Sequence, residues 1–425
     1  MTYTDGKGRS VVVVTGMGVI SALGQGKEEN WRKLTAGVSG IRRVERFTTE
    51  GLRTTIAGTV DFIPLDQASS PALAERMATL VIEEAIAEAG IGSRGDFPGP
   101  LCLALPPIEM DWGLRQRLAA ASGTGPEIRY SDLLHAASQG GFESEYRRFL
   151  FGSIADTLAD QFGTKGSPIG TSTACASGAT AIQLGVEAIR RGEAESVLVA
   201  GTDGSVNPET LIRFSLLSAL SARNELPEAA ARPFSKDRDG FVMAEGAAAL
   251  VLESLSHARA RGARILGVVE GCGEMADRFH RTRSSPDGKP IIATLRNALA
   301  DAGAELNSIG YINAHGTGTP ENDKMEWTAV SAVFGDRAKS VPISSNKSMI
   351  GHTLTAAGAI EAVFTLLSMR HGRLPPTINY ELPDPAIPVD CVPNKARDAS
   401  VSRAVSNSFG FGGQNVSLVL AAEPT

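Results

Sequence analysis

The chain has 425 residues, with 41 Lys and Arg against 47 Asp and Glu, a net charge of -6 and a pI near 5.7. At ~150 residues per domain this length predicts two or three domains and ample core. Hydrophobic residues at 42% and charged residues at 21% exclude a disordered chain, and the acidic balance excludes a broad nucleic-acid footprint. Four cysteines without CxxC spacing, Cys102, Cys175, Cys272 and Cys391, speak against a zinc or redox-pair site and suit a reducing cytoplasm. No stretch approaches the ~20 apolar residues of a membrane helix, and the polar start Met1 to Ser10 does not read as a signal peptide. A cytoplasmic protein without membrane insertion is therefore expected. Glycine is the outlier: 46 residues, where a usual ~7% would give about 30. With no collagen period, the excess belongs at tight turns and close backbone approaches.

The first element is the apolar run Val11 to Val14, followed by a glycine turn, Thr15-Gly-Met-Gly18. Residues 104–165 are less regular, broken by Pro106-Pro107, Ser122-Gly-Thr-Gly125 and Gln139-Gly-Gly141, and read as a partly helical insertion. Cys175, Ala179, Ile182, Val186 and Ile189 advance by four and three and so share one helical face, which Arg190, Arg191 and Gly192 close. Val197 to Gly201, Ala248 to Leu252 and Ile265 to Glu270 read as buried strands. A helix follows over Ile292 to Ala302, a strand over Ile309 to Ala314, a helix over Ile360 to Met369, and a closing strand over Val416 to Ala421. Strands alternating with helices predict an α/β class with a mainly parallel sheet. Two strand-plus-helix halves, 1–260 and 261–425, follow without a linker between them.

Four segments could carry chemistry. Cys175 lies in Thr173-Ala-Cys-Ala-Ser-Gly178, where a helix begins. A helix N-terminus stabilises a thiolate, and small neighbours leave room for a substrate, although an unpaired cysteine is often only a core residue. His315, in His315-Gly-Thr-Gly-Thr-Pro320, follows a strand end, where α/β folds build sites; a turn-capping histidine is the plainer alternative. Ser345-Asn-Lys347-Ser-Met-Ile-Gly351-His352 adds a lysine and a second histidine. Asn407-Ser-Phe-Gly-Phe-Gly-Gly-Gln-Asn415 reads either as a mobile aromatic gate, Phe409 and Phe411 among Gly410, Gly412 and Gly413, or as a glycine-rich turn. Together a Cys nucleophile, two His and a Lys make a coherent acyl-transfer set. No metal site is expected.

These motifs, in this order, with Arg232-Pro-Phe-Ser-Lys-Asp-Arg-Asp-Gly-Phe-Val-Met-Ala-Glu-Gly246 between them, resemble the elongating type I/II β-ketoacyl-acyl-carrier-protein synthases over about residues 10–420. The resemblance implies the thiolase fold: two similar halves in five αβαβα layers, usually a homodimer. It implies a decarboxylating Claisen condensation in fatty acid elongation. Cys175 would carry the acyl chain, His315 and His352 would stabilise the enolate from malonyl-acyl carrier protein, and Lys347 would hold the surrounding charge. The N–H groups of Cys175 and Phe411 would form the oxyanion hole. Thr317 and Thr319 would bind the pantetheine arm, which arrives on the carrier protein, so no resident cofactor is implied. Asp323 and Glu326 match structural acidic positions. Arg278, His280, Arg281, Arg283 and Arg76 are docking candidates for the acidic carrier protein. Ile108, Met110 and Phe214 would line the acyl pocket.

The chain departs from the family pattern in places. Ala104-Leu-Pro-Pro-Ile-Glu-Met-Asp-Trp112 replaces a glycine-rich stretch, the following region is longer, and Glu75 and Ser218 replace basic residues. These changes suggest a synthase specialised for long or very long chains and a dedicated carrier protein. The alternatives are a polyketide-type ketosynthase, a non-catalytic chain-length partner, against which the intact Cys-His-His-Lys set argues, and a cysteine hydrolase.

Overall fold

The computed structural model describes residues 3–65, 69–107, 110, 112–123 and 127–424, the side chains of Ser144 and Arg148 apart. Among these residues the principal strands are β1 (Val12–Ser21), β2 (Leu101–Ala104), β3 (Ile169–Thr171), β4 (Ser196–Asp203) and β5 (Gly246–Ser254), then β6 (Gly267–Ala276), β7 (Tyr311–Asn313), β8 (Ile343–Ser344), β9 (Arg403–Phe409) and β10 (Gln414–Ala421). They run side by side as β8-β7-β9-β10-β6-β1-β5-β4-β2-β3. Read outward from the centre, both groups of five follow one pattern. The first strand pairs with the fifth, the fifth with the fourth, the fourth with the second and the second with the third. The two outer pairings in each group are parallel and the inner ones antiparallel. The mainly parallel sheet expected from strand–helix alternation is therefore corrected to a mixed one. The hydrophobic runs of buried strands look alike in both senses, so the sequence pattern does not distinguish them.

The two groups of strands pair where Val13 and Val14 meet Val268 and Gly267. Two helices fill the space between the groups: α6 (Ser177–Arg190) and α10 (Ala357–His371). On the outer face of the first group lie α1 (Ser70–Ala89) and α5 (Ser153–Phe162). On that of the second lie α8 (Lys289–Ala302) and α9 (Pro320–Phe334). The result is five αβαβα layers. Strand alternation sorts the residues: in β5, Ala248, Leu250 and Leu252 face the central helices, while Ala247, Ala249 and Val251 face α1. The central helices approach closely because both carry glycine. A Cβ on Gly178 would lie 2.5 Å from the Ala359 nitrogen, and one on Gly358 2.5 Å from the Ala179 nitrogen.

A further expectation needs correction. Thr15 to Gly18 is no turn but the middle of β1, which carries a bulge between Val14 and Gly16. Its glycines serve close packing instead: a Cβ on Gly16 or Gly18 would meet the Ala85 or Val81 carbonyl of α1 at 2.0 and 2.1 Å. The described residues of 104–165 hold several helices. Before α5 they form α2 (Trp112–Ser122), α3 (Tyr130–Ser138) and α4 (Glu143–Arg148), and α7 (Pro208–Leu216) follows β4. Among the described residues no helix is long and apolar enough to cross a membrane.

Candidate active site

The expected residues converge at the carboxyl ends of the strands. Cys175 follows β3 on a single 3₁₀ turn, Ala174–Ala176, that leads into α6. His315 follows β7. Lys347 opens a short helical turn, Lys347–Ile350, after β8, and His352 lies between it and α10. Cys175 Sγ and one ring nitrogen from each histidine lie within 4.8 Å of one another. The imidazoles meet edge to face, with centroids 5.3 Å apart. A Cys-His-His set is also a metal-compatible donor set, but the Lys347 ammonium 3.4 Å from His315 Nδ1 opposes a cation there.

Hydrogen bonds fix both tautomers. The Leu354 N–H donates to His352 Nδ1 at 3.3 Å, and the Lys347 ammonium faces His315 Nδ1, so each ring carries its proton on Nε2. Burial, reinforced by Lys347, pushes both imidazoles well below their ordinary range and keeps them neutral. Lys347 is itself paired with Glu361, whose carboxyl burial raises to about 7. Glu326 accepts the N–H groups of His315 and Gly316 at 2.9 and 2.7 Å, and Asp323 accepts those of Phe234 and Gly318 at 2.7 and 3.1 Å. Both acids thus brace the backbone around His315.

Cys175 itself is corrected. A helix N-terminus alone predicts a lowered pKa. Burial dominates instead and pushes the thiol up to about 11, against the Phe411 N–H bonded to sulfur and the nearby Lys347. In the loop after β9 the other N–H groups are already spent: Gly410 donates to Gln414 O, Gly412 to Arg281 O and Gly413 to Gly410 O. Phe409 is held in place by the strand rather than by the glycine loop. It ends β9, is buried, and packs against His315 with centroids 5.7 Å apart.

Two cavities share Cys175 and Phe411 in their linings. One, about 350 Å³, holds His315, His352, Thr317 and Thr319. The threonine hydroxyls are 3.0 Å apart, and Thr319 also caps α9. The other, about 590 Å³, is mainly apolar and includes Met110, Ile154, Phe214 and Leu217. Ile108 lies outside the described residues. Of the basic candidates, His280 and Arg283 line the first cavity and Arg281 the second, while Arg278 and Arg76 are exposed and line neither.

The residue readings missed Asp203 and Glu361. Glu361 had a signal, as the single charge between Ala356 and Met369 in an otherwise largely apolar helix. Asp203 had none, because its partner Thr355 lies 152 residues away.

Family comparison agrees with this geometry. Residues 9–258 match the β-ketoacyl synthase N-terminal domain and residues 266–381 the C-terminal domain. The chain is 38% identical over 418 residues to 3-oxoacyl-[acyl-carrier-protein] synthase 2 of Vibrio cholerae, covering 96% of this chain and 98% of that one. It is 37% identical over 417 residues to the tetracenomycin polyketide synthase ketoacyl synthase alpha subunit of Streptomyces glaucescens, covering 96% of each. Among solved structures, a type II polyketide ketosynthase in complex with its acyl-carrier protein superimposes with a TM-score of 0.86 at 33% identity, over 98% of this chain and all (100%) of that one. A β-ketoacyl synthase from Burkholderia phymatum superimposes with a TM-score of 0.84 at 33% identity, over 98% and 100% of the two chains. The chain belongs to the β-ketoacyl synthase family. It is a thiolase-fold condensing enzyme, an acyltransferase of the 3-oxoacyl-[acyl-carrier-protein] synthase class.

Proposed function

We propose that the chain condenses an acyl group held on Cys175 with malonyl-acyl carrier protein to give 3-oxoacyl-acyl carrier protein. The observation that carries this reading is the meeting of one thiol with two neutral imidazoles that each keep a proton on Nε2. In the first step Cys175 Sγ attacks the incoming thioester. The Cys175–acyl bond forms, the carrier's thioester bond breaks, and the thiol proton leaves with the pantetheine thiolate. The Phe411 and Cys175 N–H groups face the tetrahedral oxyanion. In the second step malonyl carbon dioxide departs, and its C–C electron pair becomes an enolate held by the Nε2–H donors of His315 and His352. The enolate carbon attacks the acyl-Cys175 carbonyl, and the Cys175 thiolate leaves and takes up a proton.

The pantetheine arm runs past Thr317 and Thr319, and the carrier protein docks near His280, Arg281 and Arg283 as it does so. The enzyme works as a homodimer. The large, mainly apolar cavity supports a long acyl chain. A polyketide chain is the second reading, favoured by Ser205, Asn207, Glu209 and Thr210 along the same cavity. Intact-mass spectrometry after incubation with acyl-carrier protein tests the core of this reading. One acyl adduct is expected on the wild type and none on Cys175→Ala, and an adduct persisting on Cys175→Ala overturns it. Chains of graded length and oxidation separate the two readings of the substrate.

A further inference from the structure

Each central helix is entered through the same kink. Ala174-Cys175-Ala176 and Leu354-Thr355-Ala356 are single 3₁₀ turns, and the first residue of each is left-handed, with φ 49° at Ala174 and 46° at Leu354. Thr355 thus occupies in the second half the position that Cys175 occupies in the first. A side chain other than glycine in this region costs roughly 1–2 kcal/mol, so something must hold each turn. The first is closed from within. Ser177 Oγ accepts the Thr173 N–H at 2.8 Å and donates to the Ala174 carbonyl at 2.6 Å. The second has Ala357 at the matching position and no such hydroxyl.

It is closed from the other half instead. Asp203, the last residue of β4, is fully buried. One carboxylate oxygen lies 3.1 Å from the Thr355 nitrogen and 2.7 Å from its Oγ, which also donates to the Thr202 carbonyl at 2.9 Å. The other oxygen accepts the Ser205 N–H at 3.0 Å. Fixing Thr355 fixes the residue before it, and the Leu354 N–H is the group that meets His352 Nδ1. We propose that Asp203 is a positioning residue for His352: by holding Thr355 it sets the Leu354 N–H against Nδ1 and so keeps the imidazole proton on Nε2, facing the substrate. This rests on the role proposed above for His352 in condensation.

The test separates the two half-reactions. Thr355→Val keeps the shape and removes the hydroxyl, Asp203→Asn removes the carboxylate, and Thr355→Ser restores the hydroxyl. With Thr355→Val, malonyl decarboxylation is expected to fall tenfold or more while transfer of the acyl group to Cys175 changes less than threefold; Thr355→Ser recovers decarboxylation. The acid limb of the decarboxylation pH profile moves to higher pH, because a donor that favours the neutral ring is lost. The other ionisable groups around the ring, which stay in place, are Cys175, His315, Lys347 and Glu361, with Asp277, His280, Arg283 and Glu321 across the cavity. ¹⁵N resonances of His352 report the tautomer directly, proton on Nε2 in the wild type and mixed in Thr355→Val. Acylation and decarboxylation falling together, neither falling, or an unchanged tautomer would each overturn the inference. If Thr355→Val does not fold, Asp203→Asn faces the same three criteria. A wild type that never acylates Cys175 refutes the proposed function instead, which keeps the two failures apart.

Discussion

In the first half the chain leaves β3, turns through Ala174 and presents a thiol; in the second it leaves β8, turns through Leu354 and presents a threonine that reaches back to Asp203. The strand order around the two turns is the same. What differs is where the charge sits. The first half brings a nucleophile with no base of its own at the turn. The second brings Lys347, Glu361 and both histidines, all buried. The nucleophile and the enolate donors thus come from different halves, while buried Asp203 and Glu361 both oppose ionisation of the Cys175 thiol. Beside a carboxylate a thiol is harder to ionise, and beside an ammonium an imidazole is harder to protonate. Glycines 178 and 358, in reciprocal contact, bring the two turns together.

The sharpest way to break this division is to remove the donors of the second half while leaving the nucleophile. His315→Ala and His352→Ala should each lower malonyl decarboxylation by about 10²–10³, the usual worth of one oxyanion donor. Both variants should still form acyl-Cys175, followed by mass spectrometry. Decarboxylation at the wild-type rate in either one would remove that histidine from the enolate site. A smaller effect comes from prising the halves apart. In Gly178→Ala and Gly358→Ala a methyl group must fit where backbone nitrogen now lies 2.5 Å away. Overpacking of this kind costs roughly 1–3 kcal/mol, measured by urea unfolding. Condensation should fall further than the acylation step alone, because the two turns separate. Unchanged stability in both variants would mean that the helices slide past each other freely.

Much of this site was legible because its chemistry is written in short runs. Cys175, His315 and His352 each sit among small residues or glycines, where a backbone must bend beside a ligand, and the four segments together matched one family. The five-layer fold came from that resemblance; hydrophobic period alone supported only an α/β class and misjudged the strand sense. Gly16 and Gly18 read as a turn because a glycine that lets a chain turn and one that lets a helix lie on a strand look identical in sequence. The state of Cys175 was misread because a helix N-terminus is a local feature, whereas burial is set by the whole fold. Asp203 was invisible for the same reason: its partner is a residue of the opposite half.

The mildest perturbation tests whether charge in the second half is felt by the nucleophile of the first. The Cys175 thiol, pushed up to about 11 by burial, should react with iodoacetamide at a rate that climbs with pH towards 11, with no plateau near the ~8.5 of a free cysteine. Lys347 opposes that shift, since its positive charge favours the thiolate. Lys347→Met removes the charge, so the thiol moves higher still and the thiolate fraction at pH 8 falls. One unit of pKa is worth tenfold in that fraction, and a partial loss should slow alkylation by roughly two- to tenfold. Glu361, left without its ammonium, is driven further towards its neutral acid by the same burial that already raises it to about 7, so it adds little opposing charge. Faster alkylation in Lys347→Met would reverse the sign of the coupling, and with it the view that the second half tunes the nucleophile of the first.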